Sequence, residues 1–184
     1  DVGGTEQSVR TVATVQSNMT LGAGAEIVVD TPSVLGIANG VTLINNGTVT
    51  VRGTTTTGAT LLLDGTGTLT GTTVSYGSAL ARVEYSGSGT MRSSSPVEFP
   101  VLMSATVVVD ENVTVGLDGN KTLQSALVLG GLMDIRGRSL TLQGRLDLRG
   151  AFIADGVSDM LIGMNGALSE PISGALRIAT NVLR

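Results

Sequence analysis

Two aspartates, Asp134 and Asp147, and two arginines, Arg136 and Arg149, hold matching places thirteen residues apart in SALVLGGLMDIRG (125–137) and RSLTLQGRLDLRG (138–150). Arg52 holds the arginine place in VTLINNGTVTVRG (41–53). Carboxylates set side by side by stacked repeats could cleave a polysaccharide, one protonating the leaving oxygen while the other assists water or attacks. The competing use is a solvated charge ladder, each pair contributing at most about 1 kcal/mol. Stacking is expected to set Asp beside Asp and Arg beside Arg, with opposite charges in reach on one outward face, and the ladder is the favoured reading.

Other constellations are weaker. Asp110-Glu111-Asn112 and Asp118-Gly119-Asn120 are acidic turns. Calcium takes about six to eight oxygens, neither turn has the spacing of a calcium-binding repeat, and turn geometry alone favours these residues. Histidine and cysteine are absent and Lys121 is the only lysine, so no nucleophile can be paired with a base. Gly65-Thr66-Gly67 precedes neither a helix signal nor a phosphate-binding lysine. Asn18, Asn46, Asn112 and Asn120 each begin an Asn-x-Thr acceptor sequence for N-glycosylation, of which about two would arise by chance in a chain this rich in Thr and Ser. Thr-x-Thr pairs such as Thr48/Thr50 and Thr66/Thr68/Thr70 do not recur in the later repeats, which argues against an ice-binding face. The chain is therefore read as no enzyme, with no catalytic residue, cofactor or metal ligand assigned.

The elements that would carry these residues are the repeats themselves. Positions 3, 5, 9 and 11 are Leu127, Leu129, Met133 and Ile135 in one copy and Leu140, Leu142, Leu146 and Leu148 in the next. Alternation at period two marks strands buried on one face. Position 7 (Gly131, Gly144) and position 13 (Gly137, Gly150) are glycine, expected at corners whose backbone angles a side chain would forbid. The template recurs in 41–53 and in ATLLLDGTGTLTG (59–71), and more weakly in AFIADGVSDMLIG (151–163). A single glycine is too short for a hairpin turn but suffices for a bend, which favours a parallel β-helix whose coils bury one another. Val34 to Gly53 also resembles Val128 to Gly150, suggesting an internal duplication.

Composition agrees. Hydrophobic residues make up 41% and charged residues 14%, with 26 glycines, against a usual charged share of about 25%. A net charge of −4 and only two Tyr and two Phe argue against nucleic acid. No apolar run reaches the roughly eighteen residues of a membrane span. Asp1 to Gly4 show neither the basic nor the apolar part of a signal peptide. Residues 1–8 read as a flexible arm and 9–184 as one solenoid domain. Within it, Thr54 to Thr57 reads as a solvated loop or edge, Ser86 to Ser95 as a low-complexity turn or surface excursion, and Val97-Glu98-Phe99 between Pro96 and Pro100 as a short edge segment. The tail from Ser173 alternates through Leu176 and Ile178 with no capping signal.

Several stretches together resemble the repetitive β-helical region of large surface and secreted proteins of Bacteroidota, of the type IX secretion kind: Gly65 to Gly71, Val83 to Gly87, Glu98 to Leu102, Val113 to Val115, the Leu127 to Leu142 repeat, Ser158 to Gly163 and Gly174 to Arg177. That resemblance implies an extracellular or cell-surface, non-catalytic segment and supplies no functional residues. The chain departs from the family in showing no C-terminal sorting domain.

The expectation is an all-β, right-handed parallel β-helix with glycine corners and uncapped ends. Its expected partner is itself, as a filament stacked through open ends, or adjacent repeats of a longer chain; nucleic acid and membrane insertion are not expected. A stalk of a cell-surface adhesin is the alternative, and a polysaccharide-cleaving β-helix enzyme the more distant one.

Overall fold

A computed structural model describes residues 11–53, 58–154, 159–162 and 175–178. Among them every regular element is a strand. The first coil holds β1 (Val12–Val15), β2 (Met19–Leu21) and β3 (Glu26–Asp30); the second, β4 (Val34–Ile37), β5 (Thr42–Asn45) and β6 (Thr48–Arg52); the third, β7 (Thr60–Asp64), β8 (Thr68–Gly71) and β9 (Ser75–Tyr76). There follow β10 (Arg82–Ser86), β11 (Met91–Ser93) and β12 (Leu102–Met103), then β13 (Thr106–Val109), β14 (Thr114–Gly116) and β15 (Lys121–Leu123). The last are β16 (Leu127–Leu129), β17 (Leu132–Asp134), β18 (Ser139–Leu142), β19 (Leu146–Leu148), β20 (Ala151–Ala154), β21 (Asp159–Ile162) and β22 (Ala175–Ile178).

The sheets are parallel, and the chain is a β-solenoid with three strands to a coil. One face is a seven-stranded sheet, β1-β4-β7-β10-β13-β16-β19, running from the first described coil to that of β19. The other two faces each change sheet partway. The second face is β2-β5-β8 and then β11-β14-β17-β20-β22; the third is β3-β6-β9 and then β12-β15-β18-β21. Thus β8 and β9 have no strand partner on the side of β11 and β12.

Alternation does what the sequence pattern predicts. Leu35, Leu61, Val83, Val107, Leu127 and Leu146 pair in succession along the seven-stranded sheet. A second inward column runs Ile37, Leu63, Tyr85, Val109, Leu129 and Leu148. All twelve are buried. Each fully buried aliphatic side chain stabilises by about 1.5–3 kcal/mol against exposure, and no coil could gain this without its neighbour.

The repeat and the coil have different lengths. One thirteen-residue copy spans two strands, whereas a coil spans three. Leu127 therefore pairs with Leu146, 146 − 127 = 19 residues on, rather than with Leu140, its equivalent in the next copy. Likewise Lys121 pairs with Leu140 and Leu132 with Ala151. First strands of one copy lie beside second strands of the next, so matching positions do not stack.

The glycine corners also differ from expectation. Left-handed backbone accounts for Gly137, at φ 68°. At Gly144 the reason is contact: a Cβ would lie 1.5 Å from the Ser125 carbonyl oxygen of the coil before. Such glycines are required because adjacent coils meet backbone to backbone there.

Two segments of the fourth coil also differ from expectation. Ser86 to Ser95 does turn, at Ser88 and Gly89, but it is not only a surface excursion, since it also contains β11 and the buried Arg92 and Ser94. Nor is Val97-Glu98-Phe99 an edge. The Phe99 N–H donates to the Ser95 carbonyl at 2.9 Å, closing a single turn that drives Val97, Glu98 and Phe99 into the interior. The arm at 1–8, the threonines 54–57, the corner Gly163 and most of the tail lie outside the described residues.

Candidate functional site

The aspartates and arginines that opened the sequence reading are not assembled into a pair. Asp134 lies on the second face between Gly116 and Ile153, while Asp147 lies on the first face beside Val128. The reason is the mismatch of repeat and coil, which sends equivalent residues to different faces. Each aspartate instead meets the arginine two residues on: Arg136 Nε donates to Asp134 Oδ2 at 3.2 Å and Arg149 Nη2 to Asp147 Oδ2 at 3.2 Å. The expected cross-coil pair of opposite charges occurs with Arg52, which pairs in register with Asp30 and lies 2.5 Å from its carboxylate. That arginine holds the Asp30 carboxyl below its usual range.

The two acidic turns are also apart. Asp110 to Asn112 join β13 to β14, whereas Asp118 to Asn120 join β14 to β15. Among the described residues no three His, Cys, Asp or Glu gather as a metal group would.

What the fold does assemble is a buried polar cluster at the change of sheets. Arg92 occupies the inward column of the second face above Val115, Met133 and Phe152, and Lys121 the inward column of the third face above Leu140. Both are cations at positions where later coils carry apolar side chains. An ion in such a place is costly unless paired or hydrogen-bonded.

Partners come from the Ser95–Phe99 turn and from neighbouring coils. Lys121 Nζ lies 2.9 Å from Asp118 Oδ1, donates to the Phe99 carbonyl, and stands 4.9 Å from the Phe99 ring centre. Asp118 also accepts a hydrogen bond from Ser94 Oγ. Arg92 Nη1 donates to the Gly65 carbonyl at 3.3 Å, and its guanidinium lies 5.0 Å from the Tyr85 ring centre. Such cation–π contacts are strongest where water is excluded. Arg92 Nε is buried without a partner.

Glu98 closes the set. Its carboxylate accepts from the Ser95 N–H at 2.8 Å and from Ser95 Oγ, with Tyr85 OH at 3.5 Å. Its carbonyl accepts from Tyr76 OH at 2.6 Å. Burial pushes the Glu98 carboxyl above its ordinary value, against the opposing pull of Ser95 and Arg92. Burial and the neighbouring Glu98 raise Tyr76 and Tyr85 well above the ordinary phenol value.

Chemically the cluster can neutralise and position its own groups. Arg92, Ser94, Glu98, Lys121 and Tyr85 are all buried, so it works as a polar seam joining the first three coils to the rest. The sequence carries one signal for it: Lys121 is in phase with Leu123, which puts a lysine on the inward side.

A separate feature lies on the surface at the corner between the first and second faces. An open groove of about 460 Å³ crosses four coils, floored by Gly130, Gly131 and Gly150 and bordered by Gly89, Asn112, Thr114 and Arg149.

No family model, curated protein or solved structure matches the chain.

Proposed function

We propose that this chain is a non-catalytic structural rod whose coils stack on further coils, either those of another copy in a filament or adjoining repeats of a longer chain. The observation that carries the reading is the state of the first described coil. Ala13, Met19 and Ile27 hold the places that Leu35, Leu43 and Val49 occupy one coil later. Those three later residues are buried, yet Met19 is 41% exposed and Ala13 is exposed. Between Met19, Ile27, Val15 and Leu35 lies an open apolar hollow of about 550 Å³. Among the described strands, β1, β2 and β3 each have a partner on one side only. An apolar cross-section rimmed by unpaired strand edges is a template for another coil.

An extracellular or cell-surface setting rests on the resemblance to Bacteroidota surface repeats. Negative-stain microscopy and concentration-dependent light scattering test the assembly. Filaments or higher oligomers support it; a species that stays monomeric at every concentration overturns stacking between copies.

A further inference from the structure

We propose that Asn112 is an N-glycosylation site whose first sugar lies in the glycine-floored groove. The acceptor sequence is Asn112-Val113-Thr114, with Asp110 two positions before the asparagine. All four Asn-x-Thr asparagines are exposed, so exposure alone does not choose among them. Side-chain engagement and the residue two positions before each asparagine do.

Asn18 Oδ1 accepts from the Thr42 N–H at 2.9 Å, and Asn120 Oδ1 from the Ser139 N–H at 3.0 Å. Each therefore ties one coil to the next. Asn120 also follows Asp118, whose carboxylate is held by Ser94 and Lys121. Asn46 has Ile44, not an acid, two positions before it. Asn112 sits exposed on a left-handed corner at φ 63°, a conformation asparagine tolerates better than most residues. Asp110 is partly exposed beside it.

The second observation is the groove. Asn112 and Thr114 both border it, so the two residues an acceptor sequence requires line the same open space. Its floor stays bare for a structural reason: a Cβ on Gly131 would lie 2.2 Å from the Val113 carbonyl oxygen, and one on Gly150 1.7 Å from that of Gly131. Leu132 and Ala151 offer the apolar surface on which a pyranose face rests, and Arg149 at the rim offers donors to its hydroxyls.

In the transfer, Asn112 Nδ2 attacks the anomeric carbon of a polyprenyl-diphosphate-linked oligosaccharide. The C–N bond forms, the C–O bond to the diphosphate breaks, the diphosphate leaves with the electron pair, and the amide proton passes to a base on the transferase. Use of the site in the cell rests on the location outside the cytoplasm proposed above; the chemistry does not.

The test incubates the folded, full chain with a purified oligosaccharyltransferase of the class that requires an acidic residue two before the asparagine, plus its lipid-linked donor, and maps modified peptides by mass. The expected result is one oligosaccharide on Asn112. It is lost in Thr114→Val, which keeps the asparagine and suits the strand, and in Asp110→Asn. The amide resonances of Gly131 and Gly150 should shift on modification. A folded chain left bare at Asn112, or modified in preference at Asn120, overturns the proposal, and unshifted glycine resonances overturn the seating of the sugar.

Discussion

Lys121 and Asp118 form an ion pair across 2.9 Å in which the lysine side chain is 1% exposed and the aspartate 24%. The lysine has left water almost completely and its partner has not, so the two are unequal in what their loss should do.

Asp118→Ala leaves a buried ammonium with only the Phe99 carbonyl and ring. Breaking a buried pair costs about 3–5 kcal/mol, and the partial exposure of Asp118 places this case toward the lower end. Adding Lys121→Met removes the stranded charge while keeping an apolar stem, and should recover most of the loss. Urea unfolding of the single and double variants reads the coupling; additive losses would show that the pair is not coupled.

Glu98 makes stability depend on pH in a stated direction. Because burial raises its carboxyl pKa in the folded state, its contribution is fully present below the unfolded value of about 4.3 and is lost as pH rises through the folded value. Compared with Glu98→Gln, the unaltered protein should gain relative stability as pH falls from 7 toward 4.5. Paired thermal melts across that range check the sign, and a gain on the side of the variant would contradict it.

Gly144→Ala places a Cβ 1.5 Å from the Ser125 carbonyl oxygen, which is backbone and cannot swing aside. Gly119→Ala meets nothing within 4 Å. The first should destabilise by at least the roughly 1–3 kcal/mol typical of overpacking, and the second should leave the unfolding midpoint nearly unchanged.

Met19→Lys puts a charge on the exposed apolar cross-section, at a side chain 41% exposed in the first described coil. If coils of different copies stack there, sedimentation velocity should show association abolished with the melting temperature held. Association that persists unchanged would place the contact elsewhere.

The strand pattern was legible in the linear chain because side-chain alternation is a property of each strand alone. Leu127, Leu129, Met133, Ile135, Leu140, Leu142, Leu146 and Leu148 all face inward, as their spacing required. The polar seam was less legible. Arg92 and Glu98 lie in stretches of serine, glycine and proline that resemble loops, and their inward direction follows from a turn that forms only against the neighbouring coils.

What the linear order by itself determined is which face of each strand is apolar and where the chain must bend. Tertiary structure alone decided which residue lies beside which. A closed coil consumes three strands, and its corner lengths set the count at 19 residues between Leu127 and Leu146, whereas the repeat advances two strands at a time. Asp134 and Asp147, at equivalent positions of successive repeats, thus came to rest on different faces of the solenoid.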